Sequence, residues 1–465
     1  MKPTQCATPC RMSNPCDSDP FFLFTPSHQA TVRHAHDKIA RYHPTPSESG
    51  ALEETAMYYP ADIIPFETPV SDLLSGETFR ERISTFIHSV DRFGVLMIRP
   101  DRLKPVFRPE NSPDFHSILQ EASVGYSPLW GLVDPATFCG LFPELNEPGC
   151  HNMIQLIRQN LKQAMNLTVA MGAAVFPMHS FSRDDTLLHA LKALNHALLL
   201  GADSSQFLDA LSLNISGDCL YQQGDLSGAI QEFEKALILD PGNVNVLNSL
   251  GVCFGVQKAY DNALKQFDMA LAHDHQEVMA IYNKGVIHVL AGNLMAALAC
   301  FTAAEPLGKD IFEVMFQAGK LHLTLGDLKN AQQCLERAVQ LRPDAGQAIR
   351  LLGQSLMELG MNRDAIAVYS RAVRKNPFDA ESLSALGHLY DSAGEDSEIA
   401  RVFCSKSVEI SPQNGLYRYR LGRIHLGQDK LDEAMKEFRL ASQLGYDASA
   451  WIQQIVDIRS ERRTV

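Results

Sequence analysis

The sequence lacks the two features that membrane-spanning and nucleic-acid-binding proteins need. No apolar stretch approaches the roughly 20 residues of a membrane-spanning helix, so we expect no membrane insertion. Lys and Arg (41 residues) are outnumbered by Asp and Glu (54 residues), which gives a net charge of −13. Because phosphate backbones are bound by clustered Lys and Arg, we expect no nucleic-acid partner.

Cysteine is also too sparse for a disulfide-rich secreted protein, with ten residues in 465. The N-terminus lacks the apolar core of a secretory signal, so we predict a cytoplasmic protein. Five of the cysteines fall within helical patterns, where a thiol packs as a small apolar group: Cys219, Cys253, Cys300, Cys334 and Cys404. No motif in the chain indicates a catalytic residue, a cofactor or a metal site.

The first 65 residues contain nine of the 24 prolines and little periodic apolar pattern. They are predicted to form a mostly disordered N-terminal arm over 1–65. Cys6, Cys10 and Cys16 lie close together in this arm, but their spacing is not one that zinc sites use. We interpret them as free thiols, and the sequence leaves their role open.

Proline is scarce after residue 209, where only five remain, and glycine becomes periodic. Six glycines recur every 34 residues and a seventh follows after 35: Gly217, Gly251, Gly285, Gly319, Gly353, Gly387 and Gly422. In most units an alanine lies 12 residues after the glycine, a large apolar residue 16 after it, and a second alanine 19 after it. Small residues allow two helices to approach closely, so each unit is predicted to be a pair of antiparallel helices.

This pattern resembles the tetratricopeptide repeat, in seven copies over residues 210–446. The sixth copy is irregular because one residue is inserted near Glu395. Residues 447–465 are predicted to form a C-terminal capping helix and tail. The resemblance implies an all-α solenoid of seven helix pairs, with a groove lined by the first helix of each pair.

The resemblance also implies which positions face that groove. They mix aromatic, basic and amide side chains: Asn248, Tyr282, Phe316, Lys320, Arg350, Gln354, His388, Tyr419 and Arg423. Such a groove would bind a peptide or a helix of a protein partner, and its basic positions would suit acidic groups. The alternative is that several of these residues pack between repeats. No match to the family's clamp for a C-terminal carboxylate is evident.

Residues 66–209 alternate apolar strands with helical stretches, which predicts an α/β or α+β sandwich. Segments spread over this region resemble the GGDEF (diguanylate cyclase) domain. They include residues 72–83 at the domain entry, residues 134–143 at the family's signature turn, and residues 187–201 at its closing helix. The chain is therefore predicted to be multidomain, with this domain preceding the solenoid.

The resemblance also implies that the family's chemistry has been lost. Arg99 stands at the first metal-binding aspartate, and Thr137 at the metal-binding glutamate. Asp134 and Pro135 replace the two glycines of the phosphate-binding turn, where Pro has no N–H to offer. Phe107 replaces the asparagine that reads the base. The domain is therefore interpreted as degenerate, and the chain as no enzyme.

These observations favour a non-enzymatic bacterial scaffold or adaptor that binds a protein partner through its repeats. A homodimer through the GGDEF-like domain is compatible with the resemblance. The alternative function is a receptor for a nucleotide or cyclic di-GMP, supported by the two retained residues Asp101 and Lys104. The sequence does not identify the partner, the pathway or the oligomeric state.

Overall fold

A computed structural model describes residues 76–101, 113–134, 136–394 and 397–464. These residues divide into two compact units, the first ending at Asn283 and the second beginning at Lys284. The predictions for the N-terminal arm, its three cysteines, Lys104, Phe107 and Pro135 fall outside the described residues.

The first unit begins with an α/β region of four helices and five strands among its described residues. In chain order these are α1 (Gly76–Ser89), β1 (Phe93–Pro100), α2 (Pro113–Ala122), β2 (Leu129–Asp134), β3 (Thr137–Pro143), α3 (Glu147–Met165), β4 (Val169–Phe176), α4 (Thr186–Leu200) and β5 (Ser205–Phe207). The predicted mixture of strands and helices is confirmed, including the hairpin of β2 and β3.

The five strands form one sheet in the order β2-β3-β1-β4-β5. Strand β1 pairs antiparallel with both β3 and β4, while β5 adds in parallel to β4. The order β1-α2-β2-β3-α3-β4 is that of a split β-α-β, or ferredoxin-like, arrangement. Because β1 is central and buried on both faces, its sequence is almost uninterrupted in apolar residues.

The two faces of the sheet support two separate cores. Val95 and Met97 of β1 point into one, and Leu96 and Ile98 point into the other, as the two-residue period of a strand requires. Helices α2 and α3 cover the second face. On the first face, Gly172 of β4 allows helix α4 to pack directly on the strand, because a Cβ there would overlap the backbone of Leu194.

The core of the first face continues into the repeats that follow. Leu213, Phe233 and Leu250, which belong to the first two repeats, lie in the same apolar cluster as Phe93 and Leu194. Although the composition of the chain changes near residue 210, the hydrophobic core of the α/β region continues past that residue into the first two repeats.

Polar contacts cross the same junction. Lys192 of α4 donates a hydrogen bond to Glu232 at 2.6 Å, and the two side chains are only 6% and 8% exposed. His196 lies 3.1 Å from the hydroxyl of Ser212. Burial lowers the pKa of Lys192 while Glu232 opposes that shift. The α/β region and the first repeat are thus joined by apolar packing and by a buried ion pair.

The repeats form fourteen helices among the described residues, in seven consecutive pairs. They are α5 (Ala210–Gln222), α6 (Leu226–Leu239), α7 (Val244–Val256), α8 (Tyr260–His273), α9 (Val278–Leu290), α10 (Leu294–Ala304), α11 (Phe312–Thr324), α12 (Leu328–Leu341), α13 (Gly346–Glu358), α14 (Asn362–Lys375), α15 (Ala380–Ser392), α16 (Ser397–Ile410), α17 (Gly415–Gly427) and α18 (Leu431–Gln443). The predicted seven helix pairs are confirmed.

Except in the sixth repeat, each periodic glycine contacts the large residue of its own repeat. A Cβ on Gly217, Gly251 or Gly353 would lie 2.5–2.6 Å from the ring of the aromatic residue 16 positions later. Real Cβ atoms do not approach other atoms so closely, so only glycine fits. In the irregular sixth repeat, the smaller Cys404 takes the place of the aromatic ring against Gly387.

The turn within each repeat needs a left-handed residue. Gly326 and Gly360, for example, adopt φ values of 78° and 75°, which cost glycine nothing. The second and seventh repeats have Lys258 and Asp429 at this position instead, with φ values of 61° and 58°.

A last helix, α19 (Ser449–Thr464), follows the seventh pair. Its Ile455 is fully buried in a cluster with Phe438 and Ala441 of α18, and Trp451 stacks on Phe438 with ring centroids 6.1 Å apart. Helix α19 therefore covers the apolar end of the last pair. Within the described residues, no helix combines the length and the apolarity needed to cross a lipid bilayer.

Candidate functional site

Two of the nine predicted groove residues lie in the first unit, and both are buried. Asn248 and Tyr282 are each 1% exposed. The amide of Asn283 donates a hydrogen bond to the side-chain oxygen of Asn248 at 3.0 Å. The Asn248 side chain thus lies between helices of adjacent repeats, which is the alternative that the sequence left open.

The other seven predicted residues lie in the second unit, on the first helices of their repeats. We call the surface formed by α11, α13, α15 and α17 the first-helix face. At one end of it, the ring of Phe316 stacks on that of Phe312 at 5.5 Å and is 8% exposed. Lys320 is half-buried on the same helix, and burial lowers its pKa.

Arg350 of α13 is already engaged with carboxylates of the next repeat. Its guanidinium lies 3.2 Å from Glu381 and 3.6 Å from Asp379. Gln354, one turn further along α13, donates a hydrogen bond to Glu358 at 2.9 Å. A partner that used Arg350 would have to displace or share these acidic groups.

Tyr419 packs towards the C-terminal helix. Its ring lies 4.7 Å from that of Tyr446, 5.9 Å from Phe438 and 6.4 Å from Trp451, between centroids. Its described contacts therefore belong to the apolar cluster under α19. The sequence contained this aromatic cluster but gave no sign of which side of α17 the last helix would cover.

Arg420, which the sequence analysis did not select, has the most unusual environment on the first-helix face. It is half-buried and donates a hydrogen bond to the hydroxyl of Ser384 on α15 at 3.0 Å. Among the residues that the structure describes, no carboxylate lies within 4.0 Å of its guanidinium. Arginine remains protonated in proteins, so a cation is held here against a neutral hydroxyl.

The remaining neighbours of Arg420 do not neutralise it. Burial lowers the pKa of Arg420, and the groups that act against this shift are Cys404, Tyr369, Tyr417 and Tyr446. Burial raises the pKa of Cys404 to about 12 and also raises those of Tyr369 and Tyr417. These three groups are therefore uncharged near neutral pH.

Two predicted groove residues complete this region. Burial, together with Arg420 and Arg423, lowers the pKa of His388 to about 4, so its imidazole is neutral at pH 7. Arg423 lies 3.8 Å from Asp391 and stacks over Trp451 at 5.1 Å. We call Ser384, His388, Tyr417, Arg420 and Arg423 the Arg420 cluster.

A signal for this cluster was present in the sequence. Tyr417, Arg420 and Arg423 are spaced by three residues, which places them along one side of helix α17. The sequence did not indicate which residue contacts Arg420. Its hydrogen-bond partner Ser384 lies 36 residues earlier, and nothing in the surrounding segment marks Ser384 as a partner for a cation. Arg423 was selected because the repeat resemblance implies that its position faces the groove, but Arg420 was not selected.

Of the two residues predicted for nucleotide binding, the structure describes Asp101, whose carboxylate is engaged within the α/β region. The carboxylate of Asp101 accepts a hydrogen bond from the backbone N–H of Asp203 at 2.7 Å. At the β2–β3 turn, the carboxylate of Asp134 accepts one from the N–H of Ala136, and Thr137 is 1% exposed. Among the described residues of this region, no three His, Cys, Asp or Glu side chains lie close enough together to form a candidate metal site.

Family models match the repeats directly. A tetratricopeptide repeat model matches residues 316–380 and 350–398, and a TPR repeat model matches residues 217–255. The repeats are tetratricopeptide repeats. The prediction made from glycine spacing is thus confirmed for this part of the chain.

Solved structures that match part of the chain include two described as TPR proteins. YrrB, described as a TPR protein with an unusual peptide-binding site, is 23% identical over 40% of this chain and 95% of its own, with a TM-score of 0.38. Pseudomonas aeruginosa pilF is 18% identical over 45% and 95%, with a TM-score of 0.39. The C-terminal part of a Cytophaga hutchinsonii TPR protein is 17% identical over 52% and 97%, with a TM-score of 0.40. No curated protein sequence matches the chain.

Proposed function

We propose that the protein is a non-enzymatic scaffold whose tetratricopeptide repeats bind a segment of a protein partner on the first-helix face of the second unit. Tetratricopeptide arrays generally serve as protein-interaction surfaces. The single observation that carries this proposal is Arg420, a half-buried cation that is held by a hydroxyl and has no described carboxylate within reach.

The chemistry of the Arg420 cluster specifies the partner group. A guanidinium binds a carboxylate through charge-assisted hydrogen bonds, which are stronger than those to a neutral hydroxyl. Neutral His388 adds no charge, while Tyr417 and Arg423 offer further donors on the same side of α17. An Asp or Glu side chain of the partner, or its terminal carboxylate, would complete the site.

Selection of peptides on the full-length protein tests this proposal. A displayed library of random peptides should yield binders enriched in acidic residues. Arg420→Gln should weaken these binders by about tenfold or more, because truncation of a buried charged partner typically reduces affinity by at least that much.

Arg374 provides a matched control. It is an exposed arginine near the end of α14, on a second helix, and Arg374→Gln removes the same charge from the chain. Binding that falls equally in both variants would reflect net charge and contradict a specific site. Failure to enrich any peptide on folded protein would also count against the proposal.

For the α/β region we propose a degenerate GGDEF-like domain with a structural or dimerising role. Its support is the motif resemblance together with a sheet that fits an α/β sandwich. The alternative role, as a receptor for a nucleotide or cyclic di-GMP, has less support because Asp101 is engaged with Asp203. Calorimetry with GTP and with cyclic di-GMP distinguishes the structural role from the receptor role. Only a receptor would bind these ligands and release heat at micromolar ligand concentrations.

A further inference from the structure

Three side chains of different chemistry converge between the third and fourth repeats, inside the second unit. Glu305 is the residue that follows α10, His322 lies in the last turn of α11, and Cys334 lies in α12. One carboxylate oxygen, one imidazole nitrogen and the sulfur all lie within 4.8 Å of one another. In the part of the chain that the structure describes, no other set of three such residues meets this criterion.

The donors are buried, unlike the acidic clusters that are common on surfaces. His322 and Cys334 are 5% and 6% exposed, and the Glu305 side chain is 27% exposed. The Nε2 atom of His322 lies 3.1 Å from Oε1 of Glu305. Donors around a tetrahedral zinc ion are roughly 3.5 Å apart, given metal–ligand distances of about 2.0–2.3 Å. Small rotations would therefore bring all three onto one ion.

A second carboxylate lies beside the imidazole. Oδ2 of Asp327 lies 3.1 Å from Nδ1 of His322, within hydrogen-bonding distance although off the ideal direction. Asp327 is itself held at the N-terminus of α12 by Asn330, whose amide donates to it at 2.7 Å. A histidine with Nδ1 towards a carboxylate and Nε2 towards other donors has the arrangement of a metal-binding histidine.

The repeat architecture brings these groups together. Gly319 has no Cβ, so α12 packs close to α11, and a Cβ at this position would lie 3.2 Å from that of Cys334. His322 is one turn after Gly319 on the same helix. Glu305 comes from the preceding repeat, so the cluster joins two adjacent repeats.

We propose that Glu305, His322 and Cys334 form a three-ligand site for a divalent ion that accepts nitrogen and sulfur ligands, with Zn²⁺ as the natural candidate. The fourth position would be open to water. On binding, the thiol of Cys334 releases its proton to solvent as the metal–sulfur bond forms, with no change in oxidation state. This proposal departs from the expectation of no metal site, which treated Cys334 as an apolar packing residue.

The preceding repeat contains a natural comparison. His288 and Cys300 occupy the same positions relative to Gly285 as His322 and Cys334 do relative to Gly319. The position that corresponds to Glu305 is Leu271, and the one that corresponds to Asp327 is Asn293. The histidine–cysteine pair thus recurs, but the two carboxylates accompany it only in the fourth repeat.

Cobalt binding to the full-length chain tests the site, because a cobalt–thiolate bond gives a charge-transfer absorption. Cys6, Cys10 and Cys16 are replaced by serine in every sample, so that N-terminal thiols do not contribute. After removal of metal by chelation, Co²⁺ is titrated without oxygen. We expect one equivalent to give the thiolate band and an equimolar amount of Zn²⁺ to abolish it.

Substitutions distinguish this site from adventitious binding. Cys334→Ala should abolish the band, and Glu305→Gln should weaken Co²⁺ binding about tenfold or more, whereas Cys300→Ala should change neither. Circular dichroism would show whether each variant is folded. If Cys334→Ala does not fold, the weaker Co²⁺ binding of Glu305→Gln provides the test of the site. Zn²⁺ should also raise the melting temperature of the parent chain by about 3 °C. Absence of the band in folded parent protein, or its retention in folded Cys334→Ala, would overturn the proposal.

Discussion

The two units each contain a buried cation, and they treat it differently. In the first unit, Lys192 is 6% exposed and is paired with Glu232 at 2.6 Å. In the second, Arg420 is half-buried and contacts the hydroxyl of Ser384. A buried charge that has its counterion within the chain contributes to a specific structure, whereas one that lacks it is suited to receive the counterion from outside.

The largest expected effect comes from breaking the paired cation. Glu232→Gln leaves the charge of Lys192 buried without its carboxylate, which should destabilise the first unit by about 3–5 kcal/mol. Hydrogen exchange of the β4 amides, followed by mass spectrometry, would report the loss. The double variant Lys192→Met, Glu232→Leu should recover most of that stability, because no charge remains buried. Equal damage from the double variant would mean that packing, and not charge, dominates at this junction.

Acidification should destabilise the same unit. Burial, with Lys192 and Lys235, lowers the pKa of His189 from 6.5 to about 4. The unfolded chain then takes up a proton before the folded one does, so stability is lost as the pH falls from about 6.5 to about 4. The full loss is roughly 3 kcal/mol. His189→Gln should flatten the pH dependence of β4 hydrogen exchange over this range, whereas replacement of the exposed His179 by Gln should not.

Replacement of the other cation should have a much smaller effect on stability. Arg420→Met removes a desolvated charge and leaves only Ser384 without its donor, so we expect a change within about 1 kcal/mol. Thermal denaturation of the full-length protein would measure it. A loss of stability as large as that for Glu232→Gln would show that Arg420 stabilises the fold. That result would contradict the proposed difference between Lys192 and Arg420.

The smallest effect is expected at Arg423. Its contact with Asp391 is partly exposed at 3.8 Å, and its guanidinium lies over Trp451. A partly exposed ion pair often contributes nothing measurable, and a cation–π contact at such a site contributes about 0.5 kcal/mol. Arg423→Gln should therefore lower the melting temperature by only a few degrees. Arg374→Gln, which lacks both contacts, provides the baseline for the comparison.

The repeats were predictable from sequence because their constraint is local and recurs. Outside the irregular sixth repeat, Gly217 and its five counterparts each face a large side chain of the same helix pair, so the spacing of these glycines already contains the contact. The exposure of individual side chains was not predictable in this way. Asn248 is buried by Asn283, and Tyr419 is covered by residues of α18 and α19, which belong to other helices.

The same limit explains what was missed at the candidate sites. Arg420 acquires its character from Ser384, 36 residues away, and from burial by neighbouring repeats. Glu305 and Cys334 are 29 residues apart, too far for a short sequence motif to join them. The helices that carry these residues were predicted. Which of their side chains come into contact depends on the rotation of each helix about its axis, and the sequence pattern does not specify that rotation.

The shared core of α4 and the first repeat has a practical consequence for anyone who shortens this chain. A fragment that starts at Ala210 would follow the change in composition, yet it would expose the faces of Leu213 and Phe233 that pack within the core of the α/β region. It would also separate Glu232 from Lys192. Such a fragment should aggregate or bind unrelated proteins through its new apolar surface, so interaction screens with the isolated repeats would return false partners.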